Sequence, residues 1–155
     1  MRIVHYMTVI VILLIIAAYS AMRTQAPQDN RRISVDEAWV RPALTSGNSA
    51  AYLTITNDTD NPVTLTSIAV DFAAMAQVHQ TIVENDMAQM QQLENGLRIG
   101  TGETIRLQPD GYHIMLMDVQ QVLNEGETVS LILTFDNGET LSIEAQISNN
   151  IVNLE

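Results

Sequence analysis

The chain has 155 residues, 46% hydrophobic and 16% charged, with eighteen acids against seven bases and a formal net charge of −11. Every base is an arginine, there is no cysteine, and there are eight methionines. One domain is expected at this length, with enough chain to bury a core; disulfides, thiolate metal sites, iron–sulfur clusters and thiol nucleophiles are excluded, and the acidic balance disfavours nucleic acid and anionic lipid as partners.

Residues 1–26 begin with the basic Arg2, continue as an apolar run from Met7 to Ala18 broken only by Thr8, and end in small residues. That order is the one found in secretory signal peptides. Ala18-Tyr19-Ser20 and Thr24-Gln25-Ala26 both offer small residues at the two positions a signal peptidase reads. Extended to Met22, the run is sixteen residues, short of the ~20 of a spanning helix. Cleaved export is therefore the first reading and a retained single-pass anchor the second. Either puts the remainder in a periplasmic or other extracytoplasmic compartment, with membrane contact only through this segment. Residues 27–36 read as a linker, 37–147 as the folded domain and 148–155 (SNNIVNLE) as a tail.

The domain reads as short alternating runs separated by turn residues. Ser49–Asn57 sets Ala51, Leu53 and Ile55 against Tyr52, Thr54 and Thr56, and stops at the turn cluster ending in Pro62. Val63–Val70, Val78–Val83, Thr104–Leu107, Tyr112–Met117, Thr128–Asp136 and Glu139–Ile147 follow as candidate strands. Asp71–Gln77 has a helical alternative of a turn or two. Asn95-Gly96, Asp110-Gly111 and Asn124-Glu125-Gly126 mark turns, and Asn137-Gly138 predicts a tight hairpin because both residues accept positive φ. Short strands at roughly ten-residue spacing predict an all-β, Greek-key β-sandwich. Val129, Leu131, Leu133 and Phe135 supply one buried face, and Trp39 is read as core or sheet-edge packing.

Chemistry concentrates in the histidines and methionines. Beyond the leader the chain has two histidines, His79 and His113, with Met75, Met87, Met90, Met115 and Met117 in the same region. In the strand Tyr112–Met117, His113, Met115 and Met117 share one face while Ile114 and Leu116 take the other. His79 alternates with the apolar Val78 and so points away from the core. Thioether sulfur is soft and neutral, a poor ligand for Zn²⁺, Ca²⁺ or Mg²⁺ but a good one for Cu(I). Two imidazoles and two thioethers form a set without formal charge, suited to a monovalent d¹⁰ ion. A blue-copper electron-transfer centre needs a cysteine thiolate and is excluded. No Ser–His–Asp spacing, paired-carboxylate motif or phosphate-cradling glycine loop points to an enzyme.

Four stretches resemble the periplasmic copper chaperone family PCuAC: AWVRPALTSGNSAAYLTITN (38–57), VHQTIVENDMAQM (78–90), LQPDGYHIMLMDVQQVLNEGETVSLILTF (107–135) and the closing strand. His79 and Met90 match the family's H-x10-M pair, and His113 and Met115 match its H-x-M pair. Twenty-two residues separate Met90 from His113, one more than the family pattern, a difference that falls in the loop ENGLRIGTGET. The resemblance implies a cupredoxin-like sandwich binding one Cu(I) through His79, Met90, His113 and Met115, acting as a monomer. It further implies delivery to a cytochrome c oxidase subunit or a sister copper chaperone. Met87 and Met117 are sulfurs outside the motif, and the tail lacks the His and Met that some members carry for a second copper ion. Copper storage or resistance with the same ligands, and a metal-free interaction module, are the alternative readings.

Overall fold

The computed structural model describes residues 32–84 and 87–149. Residues read from sequence as signal peptide or anchor, and most of the tail, lie outside the described residues. The described residues form ten strands: β1 (Ile33–Val40), β2 (Ser49–Asn57), β3 (Val63–Ala69), β4 (Ala73–Glu84), β5 (Met87–Gln92), β6 (Leu97–Ile99), β7 (Thr104–Leu107), β8 (Tyr112–Val119), β9 (Thr128–Phe135) and β10 (Thr140–Ile147). They contain no helix. The all-β architecture expected from alternation is the one observed.

Hydrogen bonding links the strands in the order β5-β4-β8-β2-β1-β10-β9-β3-β6, with β7 beside β2. Neighbours are antiparallel except β1 and β10, which run parallel through Trp39↔Gln146 and Val40↔Ile147. β2 is shared along its length: Ser49–Ala51 pair with β8 and Leu53–Thr56 with β7. Alternation dictates what each strand buries. Ala51, Leu53 and Ile55 from β2, Ile114 and Leu116 from β8, and Leu131, Leu133 and Phe135 from β9 all enter one apolar cluster, joined by Leu65 of β3. The strand path therefore closes over a single core, as in a sandwich.

β4 departs from the sequence reading. Its strand begins at Ala73, so the segment given a helical alternative is extended. Phe72 and Ala73 are buried and Val78 joins the core, which a one-turn helix breaking the β4–β8 pairing would forfeit. β1 begins at Ile33, inside the stretch read as linker, and Ile33 is buried in the core. β5 and β6 carry too little alternating apolar pattern to be read from sequence. The β9–β10 turn also differs in detail: Gly138 has φ 85° while Asn137 stays out of the left-handed region, so one glycine and not two residues makes the reversal. Trp39 is half-buried, its ring tilted against that of Tyr52 at 4.3 Å between centroids.

A buried asparagine and a left-handed glycine hold the loops flanking β6. Asn57, fully buried, donates from Nδ2 to the carbonyls of Asn61, Ile99 and Gly100 at 2.9, 3.2 and 3.0 Å, while its Oδ1 accepts from the Thr59 amide at 3.0 Å. Gly96 turns the chain at φ 76° with the Leu65 carbonyl against its open side.

Candidate metal centre

β4 and β8 pair so that His79 stands directly opposite His113, Gln77 opposite Met115 and Met75 opposite Met117. Residues opposite one another on antiparallel strands project to the same face. This face is turned away from the core, because the alternate residues Val78, Ile114 and Leu116 are the buried ones. β5 extends it: Met90 lies opposite Thr81, two residues beyond His79 on β4. β2 borders it on the other side, with Ala50 opposite Met115. The four residues selected from sequence thus lie on one face of three adjacent strands.

A cavity of about 390 Å³ opens on this face, and Met90, His113 and Met115 line it together with Tyr52, Thr81 and Asp110. His79 is not among its lining residues; it stands at its side, with its ring 5.9 Å from that of His113 between centroids and tilted by 41°. One wall is the loop between β1 and β2, fastened by the Ser49 hydroxyl donating to the Arg41 carbonyl at 2.6 Å and the Ser46 amide donating to the Val119 carbonyl at 2.7 Å. The other wall is the turn before β8. There Asp110 adopts φ 63°, and Gly111 presents its carbonyl both to the Thr81 amide (3.1 Å) and to Nδ1 of His113 (3.2 Å).

These contacts assign a role to each imidazole nitrogen. A carbonyl only accepts, so His113 Nδ1 carries its proton toward Gly111 and Nε2 keeps the lone pair. His79 Nε2 lies 3.4 Å from Gln77 Oε1, which accepts its proton. His79 Nδ1 is buried and has no hydrogen-bond partner among the described residues. An orphaned buried acceptor is costly in a native fold, and an ion with empty valence orbitals is what satisfies it. Burial, and then repulsion from the charged form of His113, push the His79 pKa below the usual histidine value. Both effects favour the neutral imidazole, the form that ligates metal. The donor set, two imidazole nitrogens and two thioethers, fits a soft monovalent cation.

The site is graded in depth. His113 is 5% exposed while Met90 is 65% exposed. The sequence reading set both histidines off the core face; the loop and turn walls nevertheless bury His113. Gln77 was missed in that reading. Its signal was present, since i−2 on a strand shares a face with His79, but nothing in the sequence marks a glutamine as the group that fixes a tautomer.

Residues 33–147 match the family model described as "Putative lipoprotein LpqE-like". The chain belongs to the LpqE-like family. This is a PCuAC-type family, so the resemblance stated from the sequence holds. Among its relatives, "Putative lipoprotein Lxx21020" of Leifsonia xyli subsp. xyli is 32% identical over 117 residues, covering 76% of this chain and 70% of that protein. The solution structure of CuI-DR1885 from Deinococcus radiodurans is 31% identical, with a TM-score of 0.63, covering 83% of this chain and 87% of its own. The copper-bound PCuAC domain from PmoF2 shares the fold at 18% identity and TM-score 0.63, over 76% of this chain and 93% of its own. Cupredoxin-like topology is therefore common to this LpqE-like chain and its structural neighbours.

Proposed function

We propose that this protein is an extracytoplasmic, non-enzymatic copper carrier that holds one Cu(I) through His79, Met90, His113 and Met115. The observation that carries this reading is the directly opposed His79–His113 pair, with a buried Nδ1 on His79 that finds no hydrogen-bond partner among the described residues. Its support is the Cu(I) named for the Deinococcus relative, the copper named for the PmoF2 domain, and the lipoprotein named for the Leifsonia relative. The leader at residues 1–26 serves export by cleavage or as an anchor, and the domain acts as a monomer.

The depth gradient suggests an order of transfer. Met90, the most exposed of the four, exchanges first for a ligand of the acceptor; Met115 follows, and the buried His113 releases last. Thiolate is a stronger donor to Cu(I) than thioether, so a recipient with cysteines, such as a cytochrome c oxidase copper centre or a sister chaperone, draws the ion without nucleotide or redox work. The test is a Cu(I) titration of the full chain under reductant against a chromophoric chelator, with X-ray absorption at the copper edge. One tight equivalent with sulfur scatterers, weakened by the double variant M90I/M115I, is the expected result. Failure to compete for copper, or an unchanged affinity in that variant, overturns the assignment.

A further inference from the structure

The methionine pair next along the same face is not used by this site. Met75 of β4 and Met117 of β8 stand directly opposite each other, one step past the Gln77–Met115 pair and two past His79–His113. Each step along a strand pair of this kind is roughly 6.5–7 Å, which places Met115 between the histidine pair and the methionine pair. Side chains directly opposite on antiparallel strands have Cβ atoms only about 4.5–5.5 Å apart, within reach of two flexible thioethers meeting at one ion.

Packing does not account for these methionines. Met75 is 52% exposed, and Met117 is half-buried and outside the apolar cluster. Methionine is not among the residues favoured on strands, and its usual use is to fill irregular gaps in cores. Here it stands at two facing surface positions, beside the exposed carboxylate of Asp118. The main chain there is fixed: Asp118 is held at φ 51°, its amide donates to Asn48 Oδ1 at 3.3 Å and its carbonyl accepts from Gln120 Nε2 at 2.9 Å.

We infer that Met75 and Met117, with Met115 as a shared third sulfur, form a second and weaker position for a soft monovalent cation, Cu(I) or Ag(I), from which the ion passes to the histidine pair. All its ligands are neutral thioethers, so it lacks the stronger imidazole donors and fills after the histidine site. The ion moves between the two positions by ligand exchange at Met115, with no change in its oxidation state. This inference rests on the copper reading above for its direction of transfer, but not for its ligands.

The experiment is a methyl-resolved NMR titration of the full chain, labelled at the methionine methyl carbons, with Ag(I) and with Cu(I) under reductant. The expected course is that the first equivalent moves the Met90 and Met115 methyls and the second moves Met75 and Met117 and shifts Met115 again, this second shift of Met115 being abolished in M75L/M117L. Static Met75 and Met117 methyls while Met90 and Met115 move, or a second step that survives in M75L/M117L, overturn the second position and leave the first intact. Movement of Met75, Met117 and Met115 with Met90 static upholds the second position and overturns the histidine site, whereas movement of Met75 and Met117 without Met115 overturns the shared sulfur. No movement of any methyl overturns both.

Discussion

His79 is the residue on which geometry and titration meet. Its depressed pKa means that, as pH falls through the ordinary histidine range near 6.5, the unfolded chain takes up a proton before the folded one does. Its contribution to stability is thus fully present above that range and is lost progressively toward the lower folded-state pKa. Thermal melts of the copper-free protein are expected to show Tm falling below about pH 6.5, and H79Q is expected to flatten that slope. An unchanged slope in H79Q would assign the loss to other groups. Cu(I) competes with the same proton, so binding is expected to weaken over the same pH interval. The candidates His79, Met90, His113 and Met115 were open to sequence reading because strand parity and ligand chemistry narrow the field and the H-x10-M and H-x-M spacings of the resemblance single out these four. The tautomers were not. They depend on the Gly111 carbonyl and the Gln77 amide, whose positions come from a turn and a strand register that no local pattern encodes.

Among the elements, the readable strands were those with one dry face. β9 and β10 alternate because one side meets the core and the other meets water, and their bounds follow from that contrast, whereas β2 alternates in sequence but is covered on both faces. β5 shows the opposite case. All six of its residues are exposed, so MAQMQQ has no apolar phase, and the strand exists because β4 offers it a hydrogen-bonding edge from His79 to Glu84. The turn into β6 depends on Gly96. A Cβ there would approach the Leu65 carbonyl oxygen at 2.4 Å, and the backbone sits at φ 76°. G96A is therefore expected to cost more than 1 kcal/mol, roughly the penalty of an unfavourable φ plus a local shift, read by denaturant unfolding. Asn57, at the end of β2 away from its pairing with β8, ties two segments together through three carbonyls. Removing its amide deletes all three bonds at a fully buried position, so N57A is expected to lose about 2–4 kcal/mol with copper affinity unchanged. Coupled loss of affinity would mean that the two ends of β2 communicate.

At the level of the whole molecule, residues 27–155 carry all eighteen acids and five of the seven arginines, a net charge of −13. That field favours cations and basic partner faces and is screened by salt, so capture by a basic acceptor is expected to slow as ionic strength rises. Copper itself acts on the global equilibrium. An ion bound only by the folded state at a free concentration of 100 Kd adds about 2.7 kcal/mol, which for a domain of this size raises Tm by on the order of 10 °C. Adding a strong Cu(I) chelator should reverse the shift, and a melt indifferent to both reagents would favour the metal-free reading. The parallel seam between β1 and β10 acts on the chain's history. It joins the first strand to the last, Trp39 to Gln146, so the fold cannot close while the C-terminal strand is still being made. Contacts this distant in sequence form slowly, in about milliseconds to seconds. Until β10 is in place, β5-β4-β8-β2-β1 and β9-β3-β6 are two separate pieces of sheet, and the core between them has no hydrogen-bonded seam to shut it.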